Sequence, residues 1–312
     1  MAQLRNRVLA IGPLGQPPGC GRADGIPVDG SLTTMAWSGW SSVAGIEAGN
    51  EAGNEVCVEA GLEAEVESDV PAMVETGYEQ IVTRLIPGYA SLARLGVALL
   101  AASPLASAQG ASVLVAGCGS GAELLEARDQ RPDWQLTALD PSAAMLALAR
   151  GRLAGQAGID WQQASVESLE ARARFDGALA VLVLQALPDD GSKLAFLTAL
   201  ARSLRPGGQV VLVDLMQPER SPIQQQLREA RLGFQRASGL ATDATTVVDR
   251  EALSIPGADP AARVALIADL TTGLHPIGLS RLTALVEAAG FGDPAPVYQA
   301  LDVEGFLLQR RD

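Results

Sequence analysis

One stretch constrains this 312-residue chain more than any other: SVLVAGCGSGAELLE, from Ser112 to Glu126. A valine-rich run, Ser112 to Ala116, enters a turn with glycines at 117, 119 and 121, and an apolar-periodic segment from Ala122 leaves it. The pattern is strand, tight turn, helix. Without a Cβ, glycine lets a ligand come close to the backbone, and the next helix offers free N–H groups and partial positive charge at its start. Asp140 follows Gly121 by nineteen residues, at the end of a second strand, LTALD. From there a carboxylate can accept hydrogen bonds from both hydroxyls of a ribose, at the carboxyl ends of strands where open α/β sheets bind ligands. GCGSGA also satisfies the dinucleotide pattern G-x-G-x-x-G/A, and such a turn can serve packing alone, so the turn by itself leaves its role open.

Around this stretch, strand and helix signals alternate. Strands are expected at 112–116, 135–139, 159–163, 175–183 and 209–215, and helices at 121–129, 142–153 and 190–203. Alternation of this kind implies parallel strands with crossover helices. LRPGG, Leu204 to Gly208, is expected to close a helix before the next strand. Two amphipathic helices, 74–85 and 89–102, precede the first strand and are separated by IPGY. Residues 217–277 interrupt the alternation and read as a mostly helical cap insertion. A helix at 278–289, stopped by Gly290, and strands near 295–300 and 304–309 close the chain.

Residues 1–70 differ in kind. AGIEAGNEAGNEVCVEAGLEAEVE is six tetrads, each ending in Glu, at 47, 51, 55, 59, 63 and 67. On a helix these carboxylates would repel at i, i+4, and the interspersed glycines weaken a helix further. The expectation is a disordered acidic leader over 1–70 and a globular domain over 71–312. Of the net charge of −13, the first 70 residues carry −7 and the remainder −6. An acidic chain repels phosphate backbones, so the expected partner is a small molecule rather than nucleic acid. No apolar run approaches the roughly 20 residues of a membrane helix. Three cysteines without paired spacing, Cys20, Cys57 and Cys118, fit a reducing cytoplasm. No His/Cys/Asp/Glu cluster suggests a metal. The single lysine, Lys193, is expected in a surface helix. The chain is read as a monomer or homodimer.

Five motifs in order, VLVAGCGSG, LTALDPSAAMLALAR, FDGALAVLVLQALPDD, LRPGGQVVLVDL and the closing LTALVEAAGF…VYQALDVEGFLLQRR, resemble the class I S-adenosylmethionine-dependent methyltransferases over about residues 74–312. The resemblance implies a Rossmann-like α/β fold: a seven-stranded, mostly parallel sheet whose last strand is antiparallel, with helices on both faces. It implies S-adenosyl-L-methionine as cofactor. Gly117, Cys118, Gly119 and Gly121 fall on the loop at its methionine end. Asp140, followed by Pro141, falls on the ribose-binding acid, Met145 near the adenine edge, and Ser165 and Val166 on the adenine-binding segment. Within the class the chain is similar to carboxy-S-adenosylmethionine synthases and related small-molecule methyltransferases. RLIPGY puts Tyr89 on a ligand-facing tyrosine, and Arg263 is spaced as the synthase arginine that grips a carboxylate.

Three positions depart from the pattern. Val115 stands where an acid usually helps hold the methionine end, Ser165 where an Asp commonly bonds the adenine amino group, and Val181 where the synthases carry an Asn. Ser120, Glu123 and Glu167 are the nearby groups that could compensate. The expected activity is methyl transfer to a small-molecule acceptor. The alternatives are carboxy-S-adenosylmethionine synthesis and a non-catalytic binding protein of the same fold. His275, the one histidine, is the side chain whose ordinary pKa suits a general base near neutrality; with Tyr89 and Arg263 it completes the expected catalytic set.

Overall fold

A computed structural model of the chain describes residues 72–170, 172–217, 223–239 and 270–311. The expected leader, Arg263 and most of the expected cap lie outside these residues.

Two helices come first, α1 (Ala72–Leu85) and α2 (Tyr89–Ala101), and then β1 (Ser112–Ala116), α3 (Ala122–Gln130), β2 (Gln135–Asp140), α4 (Ala143–Arg152), β3 (Ile159–Gln163), β4 (Phe175–Val181), α5 (Ser192–Ser203) and β5 (Leu204–Leu215). The helix α6 (Gln224–Ala237) falls within the expected cap, and α7 (Leu279–Ala289), β6 (Ala295–Ala300) and β7 (Val303–Gln309) end the fold. The seven strands form one sheet in the order β3-β2-β1-β4-β5-β7-β6. The pairs among β1 to β5 are parallel, and β7 runs antiparallel to both of its neighbours. The chain reverses between β1 and β4, which opens a crevice at the carboxyl ends of those strands.

The central strands β1, β4 and β5 carry apolar runs because both faces of the sheet are covered there, whereas the edge strands β3 and β6 are partly exposed. Along β1 the side chains alternate: Val113 and Val115 join one buried layer with Leu92, Val97 and Leu100 of α2 and Leu124 of α3. Leu114 and Ala116 join the other, with Phe196, Leu197 and Leu200 of α5 and Leu282 and Val286 of α7. A Leu core side chain contributes roughly 1.5–3 kcal/mol by burial, so each layer fixes strand register strongly.

The boundary between α5 and β5 differs from expectation. Leu204 already pairs with Phe175, the ladder slips, and pairing resumes at Gln209 opposite Gly177. The Pro-Gly-Gly segment is therefore a bulge inside the strand. Gly207, at φ +75°, takes the left-handed turn that such a bulge requires.

Candidate functional site

The glycine turn sits at the carboxyl end of β1, and its three glycines do different things. All have left-handed φ: +68° at Gly117, +49° at Gly119 and +84° at Gly121. A Cβ on Gly117 would stand 2.6 Å from Val183 Cγ2, and one on Gly121 would stand 2.9 Å from Leu153 Cδ1. Those two are required by close packing as well as by dihedral. Beside Gly119 nothing lies within 4 Å of where a Cβ would be, so the backbone there is open to a ligand. The intervening Cys118 is 1 % exposed, and burial pushes its thiol pKa far up. Its side chain belongs to the core, and only its backbone belongs to the turn.

Asp140 ends β2 directly alongside. Its Oδ2 accepts from Gly119 N at 2.8 Å and its Oδ1 from Ser142 N at 2.9 Å. Burial raises its pKa, and the two N–H bonds oppose the rise. A carboxylate has about four acceptor positions, so two remain for ligand hydroxyls. Ser142 caps α4 by accepting from Met145 N at 3.2 Å. Met145 is half-buried and Pro141 exposed. Ser165 is exposed after β3, its carbonyl accepting from Ser168 Oγ at 2.7 Å. Val166 is 3 % exposed within the α5-side core, so its side chain is not available to a ligand.

Val115 is buried to 1 % in the opposite layer, and the polar groups at this end of the turn come from elsewhere. Helix α1 buries Ile81, Val82 and Leu85 and brings Glu79 to the turn. Glu79 Oε1 accepts from Ser120 Oγ, from Arg152 NH1 at 2.8 Å and from Tyr89 Oη at 3.4 Å. Arg152 NH1 also donates to the Ser120 carbonyl at 2.8 Å. Glu123, in the first turn of α3, is 7 % exposed. Burial, with a smaller push from Glu79, raises its pKa to about 7 against its own backbone N–H and Arg152. Burial likewise drives the phenol pKa values of Tyr78 and Tyr89 far above their usual range. Of the three compensating groups expected, Ser120 and Glu123 are at the turn, while Glu167 is exposed on the 3-10 turn after β3. Glu79 was not foreseen: it is 41 residues from Ser120 in the chain. The only local sign is an acid next to Tyr78 in a helix whose following apolar residues are buried.

Across the crevice, β4 ends at Val181 and is followed by Leu182 and Val183. Leu182 sits at φ +58°, a left-handed conformation that costs a non-glycine residue roughly 1–2 kcal/mol. Its N–H is held by Val213 O at 2.7 Å. Val181, Leu182 and Tyr89 pack on the same layer as Leu270 and Leu274, so this wall is apolar. Behind it lies Asp214, 2 % exposed, whose Oδ1 accepts from Gln185 N at 3.0 Å and Leu215 N at 2.8 Å. Its Oδ2 has no partner, and burial pushes its pKa to about 7.

Lys193 corrects an expectation. It is fully buried rather than on the surface, donating to the Leu184 carbonyl. Burial lowers its pKa, while Asp214 and Asp189 pull it back up. Because α5 packs on the sheet, this position of the helix faces inward. His275 is exposed and lines a surface hollow with Asp189, Gln217, Ile277 and Arg281. Its backbone N donates to Gln185 O at 2.7 Å. Among the described residues, no hydrogen bond joins His275 to the glycine turn or to Tyr89. The structure thus brings together Tyr89, the three glycines and Asp140, and sets His275 apart.

Residues 113–208 match the family model described as "Methyltransferase domain". Trans-aconitate 2-methyltransferase of Methylobacterium nodulans is 46 % identical over 112 residues, 35 % of this chain and 40 % of that protein. A ubiquinone biosynthesis O-methyltransferase of Bradyrhizobium sp. is 36 % identical over 107 residues, 34 % of this chain and 40 % of that one. Among solved structures, human N-acetylserotonin methyltransferase in complex with S-adenosylmethionine aligns over 79 % of this chain and 60 % of its own, at 17 % identity and a TM-score of 0.46. The chain spans about two fifths of the length of the curated relatives it matches.

Proposed function

We propose that this chain, which carries a class I S-adenosylmethionine-dependent methyltransferase domain, transfers the cofactor's methyl group to a small-molecule acceptor. The observation that supports the reading most is the open face of Gly119 with the Asp140 carboxylate 2.8 Å from its N–H. An adenosine ribose fits there: backbone without side-chain obstruction on one side, two spare carboxylate lone pairs on the other. Met145, half-buried at the start of α4, suits the adenine edge. The bound sulfonium supplies an electrophilic methyl group, so the chain needs no nucleophile of its own. Cys118, held as a buried thiol, does not act as one.

The chain's work is placement and exclusion of water. Transfer requires an acceptor atom held in line, roughly 3–3.5 Å from the methyl carbon. The apolar wall of Val181, Leu182 and Tyr89 packs on the core and keeps that side of the crevice dry. It suits an acceptor with an apolar body. Names of the relatives point the same way as far as class goes, since each is a methyltransferase and none fixes this chain's acceptor.

Calorimetric titration of the full chain with S-adenosylmethionine and S-adenosylhomocysteine is the test. Saturable binding of both, abolished by Asp140→Ala in a protein that still melts cooperatively, is the expected result. No binding by the folded wild-type chain overturns the reading. Binding without methyl transfer to any acceptor would instead assign a non-catalytic binding protein. A cofactor recovered heavier by a carboxylate group after incubation with prephenate would assign carboxy transfer.

A further inference from the structure

The Glu79–Arg152 pair is an unusual object to find at a glycine turn. It joins α1 to the end of α4 across the Ser120 backbone, with Ser120 Oγ and Tyr89 Oη both on the same Glu79 oxygen. Both side chains are largely but not fully covered, at 27 % exposure for Arg152 and 28 % for Glu79. The pair is anchored on Ser120, the residue that follows Gly119, and interacts electrostatically with Glu123. Meanwhile β1 offers only Val115, sealed in the core.

We propose that Glu79 and Arg152 form a clasp for the amino-acid end of the cofactor. Glu79 accepts from its ammonium group, Arg152 donates to its carboxylate, and their mutual ion pair opens to admit the two charges. This rests on the proposed function above. An α-amino acid is a zwitterion, and a carboxylate beside a guanidinium is its complement in charge. Charge-assisted bonds to each end are stronger than neutral ones. The exchange is close to balanced, because the opened ion pair is replaced by two pairs of the same kind. Ser120 Oγ and Tyr89 Oη keep the Glu79 carboxylate oriented in either state. The acid at the methionine end thus comes from a helix that precedes the sheet rather than from β1, and α1 becomes part of the cofactor site.

The test compares S-adenosylhomocysteine with 5′-methylthioadenosine, which lacks the amino-acid end, by calorimetry on the full chain. Wild type should prefer S-adenosylhomocysteine. Glu79→Gln and Arg152→Met should each weaken it by on the order of tenfold to a hundredfold, the worth of a hydrogen bond to a charged group, and leave methylthioadenosine affinity unchanged. Glu79→Asp should recover part of the preference. Wild-type preference retained in Glu79→Gln overturns the clasp, as does equal loss of both ligands, which places the effect on the fold or on the adenosine end. Equal wild-type affinity for the two ligands overturns the clasp alone. A wild-type chain that binds neither overturns the proposed function itself.

Discussion

The two ends of the sheet are built to opposite standards. At the amino ends of β1 and β2, Arg131 chelates Asp133 with two bonds of 2.8 Å and donates to the Ala106 and Ala108 carbonyls at 2.9 and 2.8 Å. Its guanidinium lies 5.1 Å from the ring of Trp134, which is fully buried and donates to Ala106 O at 2.8 Å. Asp133 also accepts from Gly110 N at 3.0 Å. Among the described residues, the one buried polar side-chain atom left without a partner at this end is the Arg128 Nε. At the carboxyl ends the same sheet holds a leucine in left-handed conformation, a buried carboxylate oxygen without a partner and two acids with pKa values near 7. Strain and poor solvation of this kind collect where a protein trades stability for a site.

The largest expected effect breaks the amino end. Trp134→Ala should lower unfolding free energy in urea by about 3–5 kcal/mol, the cost of a truncated buried aromatic, while S-adenosylhomocysteine affinity of the folded fraction stays as in wild type. Next, Asp140→Asn should weaken that affinity by on the order of a hundredfold in calorimetry, since two ligand bonds lose their charge, with the thermal midpoint nearly unmoved. A Trp134→Ala chain with lost affinity, or an Asp140→Asn chain with a collapsed midpoint, would erase the distinction between the ends.

Smaller effects sharpen it. Arg131→Ala should cost about 1–2 kcal/mol, discounted for partial exposure of the pair. Arg131 and the Gly110 N–H hold the Asp133 pKa well below the carboxylate range. Its contribution is therefore present above pH ~4 and declines as the pH falls further. Asp214 has the opposite sign. Its pKa rises from about 4 when unfolded to about 7 in the fold, so the native state holds the proton more tightly. Stability then falls as pH rises from about 4 to 7, and Glu123 adds to the same trend. Asp214→Asn should flatten the trend by on the order of 1 kcal/mol, read from urea midpoints at pH 5 and pH 8. An unchanged pH profile would remove Asp214 from the account.

Much of this was legible along the chain. The strands at 112–116, 159–163 and 295–300 and the helices around 122–130 and 143–152 fall where local signals put them. Valine-rich runs between Gly/Pro punctuation leave little choice of element. The helix end before LRPGG fell where expected, but β5 starts at Leu204 rather than at 209, because Pro and Gly punctuate a helix end and a strand bulge alike. Lys193 was misread because a lone lysine in an amphipathic segment is ordinarily solvated; only the packing of α5 on the sheet, with Leu184 O and Asp214 at hand, turns it inward. The glycine turn and Asp140 carry their meaning in spacing, so they were visible as a pair.

Sequence alone therefore determined the order of elements, the parallel core of the sheet and the pairing of the glycine turn with Asp140, because each rests on dihedral limits and periodicity within a few dozen residues. Tertiary structure alone decided which glycine stays open, that Val115 is sealed into the core, and that Glu79 and Arg152 meet over Ser120. Those outcomes depend on which surfaces pack together. Residues 41 and 73 positions apart become neighbours only when burying the apolar faces of α1, α3 and α4 leaves their charged groups one common place to go.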